Sequence, residues 1–365
     1  MEDNTQNNPT AEARHLPFEF RGNAKEFFGI WIVNILLTML TAGIYSAWAK
    51  VRTKRYFYGN TIVNNDRFDY LADPVTILKG WLIAVAFFIF YSVITSIFPL
   101  TIFIFMVVFI IALPWLVIKS LAFRAKNTTY KNIRFGFNQK YSEAIKIFVG
   151  LSLLIPLTLG LLYPYVIYRQ QQFIVDNSCF GTTHFSFMAK IKDFYKIYAY
   201  VVLAGIIFSF IMYMGVMKEM GSIVAEINAS AYNELEPSAD LKNKMVFFQA
   251  VIMLGSWGFM LVAFGYLQAR IQNLLWNNAE IDTNRFDSTL RARDIVWIYL
   301  TNVIAVIFSV GLLIPWTKIR LARYRMKHLA LLAHNNLDRF IAAEEESVKA
   351  IGEEMGEVFD IDIGI

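Results

Sequence analysis

The chain is poor in the groups that carry most enzyme chemistry. It has one cysteine, Cys179, in 365 residues, which excludes an intrachain disulfide and a cysteine-based zinc site. Its four histidines, His15, His184, His328 and His334, lie scattered without ligand spacing. No His-Glu-x-x-His, phosphate-binding loop, Gly-x-Ser-x-Gly or dinucleotide fingerprint occurs. Charge is scarce as well: 17% of residues are charged and 56% hydrophobic, against roughly 25% and 45–50% in a soluble domain. The scarcity is local, because long apolar runs contain no Asp, Glu, Lys, Arg or His at their centres. Proton relays and ion-coupled carriers place such groups inside the membrane, so a proton-driven pump is disfavoured.

What is present in abundance is apolar sequence of membrane-spanning length, since about 20 residues of helix cover the hydrocarbon layer. Seven hydrophobic segments are expected, at about 27–49, 81–98, 101–118, 144–168, 197–217, 245–269 and 295–317. They define a membrane domain over 27–329, preceded by a polar segment, 1–26, and followed by an acidic tail, 330–365. The first 26 residues lack the basic-then-apolar order of a cleavable signal peptide. The net charge of +5 divides into −7 over Asn335–Ile365 and +12 before it. Basic residues cluster beside the apolar runs, as in Lys50, Arg52, Lys54 and Arg55. Membrane orientation accounts for such clusters, so the lipid bilayer is the expected partner and nucleic acid is not.

These clusters repeat. GIYSAWAKVRTKRYFYGNTIVNNDRFDY from Gly43 reappears in outline 117 residues later from Gly160 and 268 residues later from Gly311, with two further copies around Trp115 and Tyr266. The frame is an aromatic, a cation four later, an aromatic or leucine four beyond that, then in four copies an asparagine. The aromatics are Trp48, Trp115, Tyr165, Tyr266 and Trp316; the cations are Arg52, Lys119, Arg169, Arg270 and Arg320. Tyr56, Phe123, Phe173, Leu274 and Tyr324 come next, followed by Asn60, Asn127, Asn177 and Asn278, with His328 in the fifth copy. A spacing of four keeps these side chains near one helix face. Aromatics favour the headgroup level and cations reach toward phosphates, so the stripe reads as a structural or lipid-headgroup contact.

After each asparagine the period changes to two, ending in Phe68, Phe135, Phe185 or Phe286. Polar turn formers separate two β-compatible runs in each case. The expected fold is therefore an all-α polytopic membrane protein with internal repeats and short β-hairpins at the cytoplasmic face. Phe18 and Phe20 resemble one more such strand, and because a lone hairpin is marginal in water the hairpins are expected to pack together or onto helix ends. Gly43, Gly160 and Gly311 each stand five residues before a signature aromatic, and glycine there can end a helix. Segments 27–49, 144–168 and 295–317 are accordingly read as re-entrant hairpins, which puts both termini in the cytoplasm; the competing model has seven full crossings and an external N-terminus. Glu26, Glu143 and Asp294 precede these three segments at matching places, where a helix dipole favours an acid.

The runs FEFRGNAKEFFGIW, TAGIYSAWAKVRTKRYFYGNT and EVFDIDIG resemble the YjgN-like family of bacterial inner-membrane proteins, and the resemblance spans essentially the whole chain. It implies a multi-pass protein of the bacterial inner membrane with unassigned activity, and carries over no catalytic, metal or cofactor residue. The leading functional expectation is a channel or transporter for a small solute, because repeats with discontinuous helices serve that use. The alternative is a non-transporting protein that binds lipid or a protein partner through its basic cytoplasmic face and acidic tail. An intramembrane enzyme comes third, with no nucleophile or metal set to support it.

Overall fold

The computed structural model describes residues 14–232, 239–334 and 340–348. Two short strands open it, β1 (Arg14–Pro17) and β2 (Glu19–Phe20), separated by Phe18 alone. Helix α1 (Ala24–Leu40) starts where the Asn23 side chain accepts the Lys25 amide at 2.9 Å, satisfying one of the unpaired N–H groups of a helix start. Glu26 sits in that first turn. The chain continues through α2 (Ser46–Gly59), β3 (Thr61–Val63) and β4 (Asp66–Tyr70). Asp73 then caps α3 (Pro74–Ile97) by accepting the Val75 and Thr76 amides, with Pro74 at the first helical position, where its missing N–H costs nothing. Next come α4 (Thr101–Lys126), β5 (Thr128–Tyr130) and β6 (Ile133–Phe137).

A fragmented helical stretch follows: α5 (Tyr141–Ala144), a π-helical run (Ile145–Gly150), α6 (Leu151–Leu153) and a 3₁₀ turn (Pro156–Thr158). Beyond it lie α7 (Tyr163–Asp176), β7 (Ser178–Phe180), β8 (Thr183–Phe187), α8 (Ile191–Tyr232) and α9 (Ala239–Trp276). The last elements are β9 (Ala279–Ile281), β10 (Asn284–Ser288), α10 (Ala292–Phe308), α11 (Ile314–Lys327), β11 (Leu329–Ala333) and a helix over 340–348.

The chain forms two compact units. The larger comprises Met1–Ile191, Asn273–Thr289 and Ala305–Ile365, and its described residues include every strand. The smaller comprises Lys192–Gln272 and Leu290–Ile304. Within the smaller unit, Phe208 stacks on Phe259 at 4.7 Å and Phe264 meets Tyr299 at 5.3 Å. Lys244 there pairs with Asp240 at 2.7 Å and Glu226 at 3.7 Å.

The fold class corrects the all-α expectation. The hairpins join in one eleven-stranded antiparallel sheet, ordered β1-β11-β10-β9-β8-β7-β6-β5-β4-β3-β2. The order begins and ends on chain neighbours. Residues 14–20 therefore bridge both edges: β1 pairs with β11 and β2 with β3. Between them the Phe18 amide donates to the Leu329 carbonyl at 2.9 Å. The result is a nearly closed, barrel-like ring. Its physical reason is that an open sheet leaves unpaired N–H and C=O groups at each edge, and closure removes both edges. A lone hairpin is also marginal in water.

Local geometry sets the register. All four hairpins turn in two residues, pairing Val63 with Asp66, Tyr130 with Ile133, Phe180 with Thr183 and Ile281 with Asn284. Asn64 and Asn65, like Lys131 and Asn132, both have positive φ, as the twist-compatible two-residue turn requires. Each hairpin then pairs with the next so that Phe68 faces Tyr130, Phe135 faces Phe180, Phe185 faces Ile281 and Phe286 faces Leu331. A one-residue slip would turn every one of these apolar side chains outward.

Seven apolar segments do not become seven long helices. Among the described residues, four helical stretches are long and apolar enough to cross a membrane: Pro74–Ile97, Thr101–Lys126, Ile191–Met217 and Ala239–Trp276. The segments at 27–49, 144–168 and 295–317 are each interrupted. Gly43, Gly160 and Gly311 have φ of +92°, +84° and +87°, each just after a residue that is itself left-handed, Ala42, Leu159 or Val310. Glycine takes such φ without the clash a Cβ brings, and two left-handed residues in succession end a right-handed helix. After the break, α7 and α11 restart with a proline at a first-turn position. At the first break α2 folds back onto α1, bringing the Asn34 amide to 3.4 Å from the Ala49 carbonyl. At the second, Phe148 packs edge-on against Phe173 at 5.8 Å.

Candidate functional site

The signature stripe occupies similar places in its helices. Asn60, Asn127, Asn177 and Asn278 each stand at the end of a helix, where the side-chain amide donates to the carbonyl four residues back at 2.7–2.8 Å. That bond covers one of the unpaired carbonyls of a helix end just where the chain must straighten into a strand. His328 takes the fifth place, its Nδ1 2.9 Å from the Tyr324 carbonyl and its ring 4.3 Å from that of Tyr324.

The cations do not converge. Arg270 lies over the Tyr266 ring at 5.7 Å and Arg320 over Trp316 at 5.1 Å, each on its own helix. Lys119 reaches Gln139 at 3.1 Å and the Tyr141 ring, and Arg169 donates to Gln172 at 3.0 Å. Arg52 is exposed, as is Trp115, while Trp48 stacks on Tyr45 and Tyr165 lies beside Tyr168. Tyr56 is buried; its hydroxyl accepts the Asn23 amide at 2.7 Å and lies 3.1 Å from a Glu26 carboxylate oxygen. Burial pushes the Tyr56 hydroxyl above its ordinary pKa, and the Glu26 charge adds to the shift.

What does converge is the set of phenylalanines that end the frame. Around the ring, Phe18, Phe68, Phe135, Phe185 and Phe286 stack in succession with centroids 6.3, 6.4, 6.5 and 6.4 Å apart. Phe180 closes on Phe135 at 5.0 Å and Trp276 on Phe286 at 5.0 Å. Together they wall an apolar cavity of about 340 Å³. An eight-stranded barrel has an interior that side chains fill or that holds one small ligand, and the diameter grows with strand number. No charged residue lines this cavity among the described residues. One polar side chain in its wall is nearly inaccessible: Asn284, 1% exposed, with neither amide atom bonded to a protein group.

Residues 340–348 lie over the ring. Phe340 and Ile341 line the cavity, and Phe340 stacks on Phe180 at 6.3 Å. Glu344, 6% exposed, accepts the Thr182 amide at 2.6 Å and the Thr182 hydroxyl at 2.9 Å, and is also bonded to the Thr183 hydroxyl. The helix is thus fastened to the β7–β8 turn by charge-assisted hydrogen bonds.

A second, polar pocket of about 140 Å³ is lined by Lys140, Glu143, Arg169, Gln172, Asp176 and Asn177, among others. Burial raises the Asp176 carboxyl above its usual range, opposed by the Phe187 amide that donates to it at 2.8 Å. Cys179 is half-buried and its thiol is pushed up by burial, which disfavours the reactive thiolate.

The family model described as bacterial protein of unknown function (DUF898) matches residues 15–358. The chain belongs to the DUF898 family. Three relatives bear the name inner membrane protein YjgN, two of them as follows. The one from Salmonella typhimurium (strain LT2) is 24% identical over 355 residues, covering 84% of this chain and 85% of its own. The one from Escherichia coli (strain K12) is 24% identical over 383 residues, covering 91% and 92%. No solved structure matches the chain. The resemblance read from the three sequence runs is thereby established: this is a YjgN-family inner-membrane protein with four apolar helices. Sequence reasoning singled out the DUF898 chain's closing phenylalanines but missed their common cavity, Asn284 and the docking of 340–348. The two-residue period of each strand was the available signal; which strand pairs with which is not written in any one hairpin.

Proposed function

We propose that this protein binds an apolar, lipid-derived ligand within its strand ring, as a multi-pass protein of the bacterial inner membrane. The observation that carries the reading is the phenylalanine-walled cavity. Its volume of about 340 Å³ falls within the roughly 300–1,000 Å³ of small-molecule sites, which are predominantly apolar with a few placed polar groups. An apolar ligand gains about 25 cal/mol for each Å² it removes from water there.

We further read the recurring helix–asparagine–hairpin geometry as an internal repeat. The glycine breaks support re-entrant hairpins at 27–49, 144–168 and 295–317, and the basic stripes support a cytoplasmic ring and C-terminus. The acidic connection whose side would test this topology, around position 233, lies outside the described residues.

The test is photolabelling of purified protein in lipid nanodiscs with a diazirine-bearing fatty-chain probe. Saturable labelling is expected on β5–β8 peptides, reduced about tenfold by Ala279→Trp, which fills the cavity from a buried wall position. Labelling confined to α3, α4, α8 and α9, and indifferent to that substitution, would overturn the reading.

The channel or transporter reading draws on the three helix breaks, since discontinuous helices often line solute sites. Its measure is solute flux through purified protein in liposomes. Solute flux that is lost on Gly43→Val, in protein whose ring does not take up the photolabel, would favour it over ligand binding.

A further inference from the structure

The polar pocket beside α7 shares no residue with the ring cavity. Its four charged residues, Lys140, Glu143, Arg169 and Asp176, sum to zero. Among the described residues no ion pair joins any two of them, although the charges of Glu143, Lys140 and Arg169 all act on the Asp176 carboxyl. Arg169 donates to Gln172 and keeps further guanidinium donors, and Asp176 accepts the Phe187 amide through Oδ1 alone. Lys140 is exposed, and the unbonded oxygens of Glu143 and Asp176 are not shut from solvent. A matching place in the chain shows how such an acid is satisfied within the fold. Glu26 stands 117 residues before Glu143, and Tyr56 stands 117 before Phe173. Both acids occupy the first turn of a helix. The Tyr56 hydroxyl lies 3.1 Å from a Glu26 oxygen. Phe173 has no hydroxyl, so Glu143 lacks that bond and about 140 Å³ stays open beside it.

We propose that this pocket binds the headgroup of a phospholipid carrying a phosphate and a primary ammonium, the phosphate on Lys140 and Arg169 and the ammonium on Glu143 and Asp176. The site is separate from the ring and does not depend on what the ring binds. A neutral pocket that holds both signs unpaired suits a dipolar ligand, whose two ends each gain charge-assisted hydrogen bonds. A free anion would face two carboxylates, and a divalent cation would face Lys140 and Arg169. A trimethylammonium has no N–H to donate, and a headgroup with phosphate alone leaves both acids unbridged. The hairpin that carries the pocket points to a lipid. Phe148 on one limb packs against Phe173 on the other; the four charges lie at the base, and exposed Leu157, Leu159 and Leu161 lie at the turn. The 14 residues of α7 extend about 21 Å, more than half of the roughly 30 Å hydrocarbon layer. An apolar turn set in the hydrocarbon therefore leaves the base at headgroup level, where cations meet lipid phosphates.

Native mass spectrometry of the full-length protein in detergent reads the binding. Dioleoyl phosphatidylethanolamine, phosphatidylcholine and phosphatidylglycerol, matched in their chains, are titrated separately. Wild-type protein should bind phosphatidylethanolamine about tenfold more tightly than either of the others, the order expected of one net hydrogen bond to a charged group. Glu143→Gln should bring phosphatidylethanolamine to the level of phosphatidylcholine and leave phosphatidylcholine binding unchanged. Phe173→Tyr should do the same, because its hydroxyl would bond Glu143 as that of Tyr56 bonds Glu26. Equal binding of the three lipids by the wild type, or a preference that survives both substitutions, overturns the site. Tightest binding of phosphatidylglycerol overturns the dipolar ligand in favour of an anion. Glycerophosphoethanolamine, the headgroup without its chains, should compete only at about 100-fold higher concentration, since it has no apolar surface to bury. Competition at equal concentration overturns the lipid as occupant. Should Phe173→Tyr fail to accumulate, Glu143→Gln, at a half-buried position, decides alone.

Discussion

The strand ring and the long helices draw on the same apolar residue types and dispose of them in opposite ways. In the ring, Val63, Tyr130, Ile133, Phe180, Ile281 and Leu331 are each less than a tenth exposed. On α3, α4 and α8 the large side chains face outward, with Ile83 at 71%, Phe88 at 65% and Phe210 at 63% exposure. The difference follows from period and partner. Strands of two to five residues bring one face inward at every second position and must find neighbours in the same chain. A helix satisfies its own backbone and can leave its side chains for lipid. Hydrophobicity alone therefore does not say where a residue will be buried; the backbone it sits on decides.

Substitutions of one residue type in the two regions would break or sharpen this contrast. The largest difference is expected for phenylalanine. Phe180→Ala removes a buried ring that contacts Phe135, Tyr130 and Phe340 and should cost about 3–5 kcal/mol. Phe88→Ala, at an exposed site on α3, should stay within about 0.5 kcal/mol. Thermal unfolding in detergent measures both, and equal losses would end the comparison.

Glycine gives the next contrast. Gly311→Ala places a Cβ in ordinary contact with Ile314 Cδ1 at 3.6 Å but at φ +87°, so the loss of roughly 1–2 kcal/mol would be backbone strain rather than a clash. Gly29→Ala, inside α1 with nothing within 4 Å, should instead stabilise by about 0.5–1 kcal/mol. Opposite signs in the two melting shifts are the expected outcome; matching signs would show that the breaks are not glycine-dependent.

The smallest effect is pH-linked and lies at the edge of the ring. Burial raises the folded-state pKa of Asp176 above its unfolded value. Its ionised form therefore lowers stability at neutral pH, and the penalty is relieved as pH falls through the raised folded pKa toward the ordinary carboxylate range. Asp176→Asn should be slightly more stable than wild type at pH 7, and the gap should close in acid. A gap that widens in acid would reverse the assignment.

Much of this was legible from residue order. Membrane character followed from the charge-free runs, the helix ends from Asn60, Asn127, Asn177 and Asn278, and the family from three short motifs. The hairpins were also visible, because two-residue alternation around polar turn formers is a local signal. That they would pack together or onto helix ends also followed, since a lone hairpin is marginal in water; their closure into one ring did not. Phe18 meets Leu329 and Phe68, and Glu344 meets Thr182, only after the chain has closed on itself. Nothing local at residues 14–20 says that one extended segment will pair with β11 on one side and β3 on the other.

The sequence by itself determined which backbone each segment would adopt and which residues could not face water, since propensity, period and charge act over a few neighbours. Only the tertiary structure decided that five scattered phenylalanines share one cavity and that Asn284 stands buried in its wall without a partner. Ring closure is a long-range event. Its free energy comes from edges paired and rings stacked across hundreds of residues of chain, and no window of sequence contains both partners.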